Sequence, residues 1–177
     1  EEARLYTLPP QPVRVMVAAD GPEAAALAGE HGDGLVSTSP KPEVFRSFDE
    51  AGGRGKPRFG QVSVCYADSE GEARAIAHRV WPTSVLPSTA NWDIRSPRLF
   101  NALVENVTEE QVAKQMTCGP DPEKHVAALK KYFDAGFDHV YVHNIGPNQD
   151  AFFELYAREV LPALRRESEG QQLRRTA

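Results

Sequence analysis

The sequence has few cysteines, no excess of basic residues and no long hydrophobic run. Its two cysteines, Cys65 and Cys118, lack the C-x-x-C spacing of zinc and redox sites, which predicts free thiols, a reducing compartment and no metal site. The net charge of −5 leaves no basic surplus to neutralise phosphates and argues against a nucleic-acid partner. Apolar runs such as residues 15–19 are far too short to cross a membrane, and the chain opens without an apolar signal segment. These absences predict a cytoplasmic protein.

Several catalytic signatures are also missing. The chain contains no Gly-rich dinucleotide fingerprint, no phosphate-binding Walker loop and no nucleophile elbow. With 177 residues, of which 41% are hydrophobic and 25% charged, the composition is that of an ordinary globular domain. We therefore expect one domain over residues 1–166, followed by a polar tail over residues 167–177.

Strand and helix signals alternate along the chain. The pattern predicts four strand–helix pairs, at residues 14–19 and 23–28, 34–38 and 43–51, 60–67 and 70–80, and 139–144 and 149–164. An insertion at about residues 81–119 interrupts the series, with an irregular part over 81–98 and a capped helix from Thr108 to about Met116. A further helix over residues 123–134 is predicted to end at Gly136. This order predicts an α/β fold with parallel strands and helical crossovers.

The faces of the strands distinguish two arrangements. In the last strand Val140 and Val142 oppose His139, Tyr141 and His143, so one face is apolar and the other is polar. An open doubly wound sheet is expected to be apolar on both faces, whereas a strand that lines a barrel has one polar face. A complete (β/α)₈ barrel needs eight units and about 250 residues. We therefore interpret the chain as half of a TIM barrel.

Four segments carry a resemblance to a known family: residues 15–34, 56–66, 134–143 and 158–164. They resemble the luciferase-like oxidoreductases, in the branch that uses the deazaflavin coenzyme F420, and within it the subgroup of F420-dependent glucose-6-phosphate dehydrogenases. The resemblance extends over roughly residues 5–165. It implies a (β/α)₈ barrel of about twice this length, with this chain as its second half. The catalytic histidine of the family lies in the first half, so the resemblance identifies no catalytic residue here.

The turn Ala18-Ala19-Asp20-Gly21 joins the first strand to the first helix. A helix start presents free N–H groups and partial positive charge, which favour an anion. The resemblance implies that this turn binds the phosphate-bearing tail of F420. An alternative from the residues alone is that the Asp20 carboxylate caps the helix.

Three residues are candidates for substrate binding: Thr38, Lys41 and His143. Thr38 and Lys41 follow the second strand, at the end where barrel active sites are built, and the resemblance implies that these positions hold a substrate phosphate. A solvated loop is the alternative. The stretch from Phe100 to Glu105 offers no second basic group, so we predict a substrate that is less anionic and more apolar than a sugar phosphate.

The expected function is that of a part of an F420-dependent oxidoreductase, which transfers a hydride between the deazaflavin and a small organic substrate. Alternatives are an FMN-dependent monooxygenase and a non-catalytic half-barrel that binds or assembles. Four barrel units leave open sheet edges, so we expect a homo-oligomer. The isolated chain is expected to be inactive without the first half.

Overall fold

The computed structural model describes residues 7, 9–87 and 89–166; the predicted tail at 167–177 lies outside them. The chain forms two compact units. The first unit comprises residues 1–60 and 135–139, and the second comprises residues 61–134 and 140–177. No helix in the described part of the chain is both long and apolar enough to cross a membrane.

The first unit is built from alternating strands and helices. Its elements are β1 (Met16–Ala18), α1 (Pro22–His31), β2 (Gly34–Ser37), α2 (Pro42–Phe48), a π-helical continuation (Asp49–Gly53) and the start of β3 (Arg58–Cys65). The strands are parallel: Met16 pairs with Gly34, and Leu35 pairs with Arg58. The predicted order of elements in this unit is confirmed.

Buried helix residues form the core of the first unit. Ala25 and Ala28 of α1 and Val44 and Phe48 of α2 have no exposed surface. Small alanine side chains let α1 lie close to its neighbours, so burial of the apolar faces stabilises both helices.

The second unit contains the predicted insertion. Its elements are the rest of β3, α3 (Glu70–Val80), a 3₁₀ turn (Pro82–Val85), α4 (Ala90–Asp93), α5 (Pro97–Leu103), α6 (Glu109–Ala113), β4 (Thr117–Cys118), most of α7 (Pro122–Ala135), most of β5 (His139–Asn144), α8 (Gln149–Leu155), a π-helical segment (Tyr156–Val160) and helix up to residue 166. Both β4 and β5 pair with β3. The predicted capping box is present, since the Thr108 and Gln111 side chains each bond to the other's backbone N–H.

Two apolar clusters hold the second unit together. In one, Val62 and Val64 of β3 pack against Val126 and Leu129 of α7 and Phe152 of α8. In the other, Cys65 and Cys118 pack with residues of α3 and α6. The partly buried Val140 and Val142 pack on the first cluster, whereas Tyr141 is 62% exposed. The predicted two-faced character of this strand is therefore confirmed.

Two predictions about the insertion at residues 81–119 differ from the structure. Residues 81–98, expected to be irregular, contain the 3₁₀ turn and α4, and α5 begins at Pro97. These elements are four to seven residues long, too short to show a helical period in the sequence. The predicted helix end near Met116 is wrong, because α6 ends at Ala113 and the chain then forms β4.

The cysteines are free, as predicted, but they are neighbours. The register of β3 and β4 pairs Cys65 with Cys118, where the sequence offered no reason for them to meet. Both thiols are buried and unbonded to each other.

Candidate functional site

The ends of β1 and β2 bring two loops of the first unit to the same edge. Ala18 pairs with Val36 in the parallel register, and the Ala19 N–H donates to the Val36 carbonyl at 2.9 Å. In parallel strands the carboxyl ends meet at one edge, where ligand sites of α/β proteins form. The predicted cofactor turn and the predicted substrate loop are therefore neighbours in this unit.

The turn at Ala18–Gly21 leads directly into the start of α1. Gly21 is the N-cap residue, in an extended conformation, and as a glycine it provides no side-chain cap. A Cβ placed on Gly21 would meet nothing within 4 Å. Ala18 is exposed and Ala19 is buried. Open space beside Gly21 at a helix start fits an anionic group such as a phosphate.

Asp20 connects the two loops through an ion pair. Its carboxylate Oδ1 lies 2.8 Å from the Nζ of Lys41. The Lys41 Nζ also donates to the backbone carbonyl of Asp20 at 3.0 Å. The lysine side chain is 38% exposed and the aspartate 47%. The pair thus joins the turn after β1 to the loop after β2.

The loop after β2 presents Thr38 at the surface. Thr38 is exposed, whereas Ser37 before it is buried. The Ser37 hydroxyl donates to the carbonyl of Ser39 at 3.2 Å, which fixes the turn. Lys41 is the N-cap residue of α2, and its side chain makes no capping hydrogen bond. Its backbone carbonyl accepts from the Val44 N–H at 3.1 Å.

His143 belongs to the second unit, at the end of β5. Its ring is exposed and lies 6.0 Å, centroid to centroid, from the ring of Trp81. The neighbouring Asn144 is buried, and its Oδ1 accepts from the N–H groups of Tyr66 at 2.9 Å and Gly146 at 3.2 Å. These bonds fix the end of β5 against the end of β3 and so orient the segment that carries His143.

A buried polar pair in the second unit was missed by sequence reasoning. His125 of α7 has no exposed surface. Its Nε2 lies 2.9 Å from the Gly119 carbonyl and its Nδ1 2.9 Å from the Tyr156 hydroxyl. Desolvation lowers the pKa of His125, which favours a neutral ring that donates from Nε2 and accepts at Nδ1. The helical spacing of His125 and Leu129 is the signal that identifies its buried face.

No metal centre is visible in the described part of the chain. Across residues 7, 9–87 and 89–166, no group of three or more histidine, cysteine, aspartate or glutamate side chains is arranged to hold a metal ion.

Comparison with known proteins gives a family match and similar relatives. The model of the family described as luciferase-like monooxygenase matches residues 1–139. The chain is 34% identical over 178 residues to the F420-dependent glucose-6-phosphate dehydrogenase of Kribbella flavida, covering 93% of this chain and 53% of that protein. The enzyme of the same name from Intrasporangium calvum is 31% identical, with 93% and 52% covered. The chain thus spans about half the length of the curated relatives it matches.

Solved structures show the same fold. An F420-dependent secondary alcohol dehydrogenase in complex with an F420-acetone adduct matches with a TM-score of 0.74 at 23% identity, over 92% of this chain and 52% of that one. The coenzyme F420-dependent tetrahydromethanopterin reductase of Methanopyrus kandleri matches with a TM-score of 0.57 at 17% identity, over 86% and 51%. These matches confirm the predicted α/β fold, with parallel strands that correspond to about half of a TIM-barrel chain.

Proposed function

Because the chain belongs to the luciferase-like monooxygenase family, we propose that it forms part of a coenzyme F420-dependent oxidoreductase. The observation that carries this proposal is the likeness to the glucose-6-phosphate dehydrogenases named above, which are F420-dependent and cover 93% of the chain. The start of α1 at Gly21 adds a structural reason, since the N–H groups at a helix start favour an anionic cofactor tail.

The turn of Ala18, Ala19, Asp20 and Gly21 is the proposed cofactor contact. The small alanine and glycine side chains allow close approach of a ligand to the backbone, and nothing lies within 4 Å of the place where a Cβ of Gly21 would stand. When bound, F420 supplies a deazaflavin carbon that exchanges a hydride with the substrate. This chain's own contribution is to bind and orient the cofactor tail.

Thr38 and Lys41 of the first unit are proposed substrate contacts, and His143 of the second unit is proposed separately as a substrate contact. The charge of Lys41 is already balanced by the Asp20 carboxylate at 2.8 Å, so this loop offers little net attraction to a phosphate. This supports the proposal that the substrate is less anionic and more apolar than a sugar phosphate. Efficient turnover of glucose 6-phosphate by the protein that contains this chain, lost on Lys41→Ala, would show that the substrate proposal is wrong.

The cofactor is tested by fluorescence titration of F420 and of FMN into this chain and into the protein that also carries the preceding half. We expect F420 to bind and FMN to bind more weakly. Tighter binding of FMN would instead favour the monooxygenase chemistry for which the family is named. Binding of neither cofactor to either protein would favour a non-catalytic assembly module.

A matched pair of glycine variants tests the position of the cofactor. Gly21 and Gly71 each have open space where a Cβ would stand, so the leucine side chain of Gly21→Leu or Gly71→Leu starts in open space. Gly21→Leu fills the space in front of α1, and we expect it to weaken F420 binding by about tenfold or more. Gly71→Leu, at the start of α3, is expected to leave binding unchanged. Equal binding by both variants would remove the turn from the site.

A further inference from the structure

Cys65 and Cys118 lie side by side in the second unit. The parallel register pairs them across β3 and β4, and the Gly119 N–H donates to the Cys65 carbonyl at 2.9 Å, which fixes the two strands at this point. Both side chains pack into the same apolar cluster. Neighbouring strands are about 4.8 Å apart, and a disulfide joins Cα atoms about 4.4–6.8 Å apart. The two sulfurs can therefore be joined without a rearrangement of the sheet.

The two thiols differ in their access to solvent. Cys118 lines a cavity of about 320 Å³ whose wall is formed by parts of α3, β4 and α7, and Cys65 does not line it. Cys118 is 7% exposed, whereas Cys65 has no exposed surface. A cavity of this volume admits hydrogen peroxide, which is little larger than water. It brings such a molecule to one of the two sulfurs only.

The charged side chains around this cavity favour an anionic sulfur at Cys118. The described residues of its wall include the cations Arg74, Lys124 and Lys131 and one carboxylate, that of Glu70. Burial raises the pKa of the Cys118 thiol, the charges of Arg74 and Lys124 lower it, and the charge of Glu70 raises it. The thiolate is the form of cysteine that attacks an oxidant, so the two cations support a reaction at this sulfur.

We propose that Cys118 and Cys65 form a reversible redox pair, in which Cys118 reacts first with a small hydroperoxide and Cys65 then closes a disulfide. This inference is independent of the proposed cofactor. Cys65 needs no access to solvent for the second step, because it is already paired in register with Cys118.

The two steps balance in atoms and electrons. The Cys118 thiolate attacks one oxygen of the peroxide, the O–O bond breaks, and the other oxygen takes up a proton and leaves as water or an alcohol. This two-electron oxidation gives a sulfenic acid at Cys118. The Cys65 sulfur then displaces the hydroxyl group, which leaves as water with the thiol proton of Cys65, and the S–S bond forms. An added dithiol reduces the disulfide and restores both thiols.

Oxidation of the folded chain with hydrogen peroxide tests the pair. At micromolar protein, thiol titration in denaturant after the reaction should fall from two thiols to none, peptide mapping should find Cys65 linked to Cys118 within one chain, and dithiothreitol should restore both thiols. The rate should stay constant in urea too dilute to unfold the protein. The urea-unfolded chain is the control for the oxidant, because its thiols are exposed.

Several results of this experiment would overturn the proposal. These are two remaining thiols in the folded protein, a disulfide between chains, oxidation of Cys118 beyond the sulfenic acid without a disulfide, and a rate that rises with the unfolded fraction. The last result would mean that the sulfurs react only after the second unit has opened.

Single-cysteine variants test the order of the two steps. In Cys65→Ala the sulfenic acid of Cys118 has no partner, so dimedone should trap it. In Cys118→Ala we expect Cys65 to be labelled at least about tenfold more slowly, because susceptibility follows exposure and thiolate character. Dimedone added to the parent protein during the reaction gives the same information without a substitution, and its adduct should lie on Cys118. Equal labelling of the two cysteines, or faster labelling of Cys65, would show that the proposed order is wrong.

Discussion

At the scale of single residues, the imidazole of His125 shows how burial sets a charge state. Both ring nitrogens have hydrogen-bond partners, and the side chain is completely buried. Desolvation lowers its pKa, while the bond to the Gly119 carbonyl and the charge of Asp121 oppose that shift. Because the folded state holds the neutral ring, protonation is less favourable there than in the unfolded chain.

We predict that the protein loses stability in mild acid through His125. The unfolded histidine has a pKa of about 6.5 and the folded one a lower pKa, so stability is present above pH 6.5 and falls as the pH drops below it, by up to about 1.4 kcal/mol per pH unit. Urea unfolding at pH 7.5 and 5.5 measures this. His125→Gln should cost about 1–3 kcal/mol at pH 7.5 and show a smaller pH dependence. The control is His31→Gln, at an exposed side chain, which should unfold as the parent protein does at both pH values.

If the stability of His125→Gln depended on pH as strongly as that of the parent protein, the prediction would be wrong.

The two thiols are predicted to be present but slow to react. Burial and the neighbouring Cys118 raise the pKa of Cys65 from 9.0 to about 11, and burial raises that of Cys118. The reactive thiolate of Cys65 is therefore reduced about a hundredfold at neutral pH. Titration with a thiol reagent at pH 8 should give two thiols per chain in denaturant without reductant, and much slower labelling of the folded protein. A count of zero in denaturant would mean that the cysteines are paired.

At the scale of elements, the contact between α1 and the end of α2 depends on a glycine. A Cβ on Gly29 would clash with the carbonyl oxygen of Phe48 and would also stand 3.1 Å from the Cβ of Ala51. The Gly29 carbonyl in turn accepts a hydrogen bond from Lys56. Backbone atoms cannot move aside as a flexible side chain can, so the two helices approach this closely only because position 29 has no side chain.

We predict that Gly29→Ala destabilises the protein by about 1–3 kcal/mol, because the clash outweighs the gain in helix propensity. Gly71→Ala is the matched control, since Gly71 is also helical and has open space where a Cβ would stand. It should be neutral or stabilising by up to about 1 kcal/mol. Thermal unfolding of both variants measures the difference. Equal stability of the two would show that α1 and α2 separate at little cost.

Elements with strong local signals were predictable from the sequence. Prolines and glycines mark the ends of α1 and α7, and the predicted range of β5, residues 139–144, matches the observed one. In contrast, β4 is two residues long, so it has no alternation to detect. The position of β4 is set by its pairing with β3, and a pairing between distant segments leaves no local pattern in the sequence.

The candidate site was predictable in part. The sequence placed Asp20 and Lys41 in loops after neighbouring strands, because parallel strands end at one edge. It did not predict that the two side chains bond to each other, since a contact between positions 21 apart depends on side-chain direction and on the register of β1 with β2.

At the scale of the molecule, the chain exposes large apolar side chains in and beside its strands. In the first unit Val13 and Val15, before β1, are 71% and 57% exposed. In the second unit Tyr141 of β5 is 62% exposed and His143 beside it is also exposed. The curated relatives are about twice as long. Exposed apolar groups on edge strands favour association with further strands.

We therefore predict that this chain, prepared alone, self-associates through its strand edges at micromolar concentration. Burial of aromatic and β-branched side chains drives the association, and free backbone groups on the edge strands direct it. Sedimentation velocity should show a dimer or a larger species, and Tyr141→Lys should shift the equilibrium toward the monomer by placing a charge on the exposed face of β5. Leu27→Lys is the control, because Leu27 is 54% exposed and belongs to the helix α1 and not to a strand. A well-folded monomer at tens of micromolar would show that the exposed strands do not need a partner.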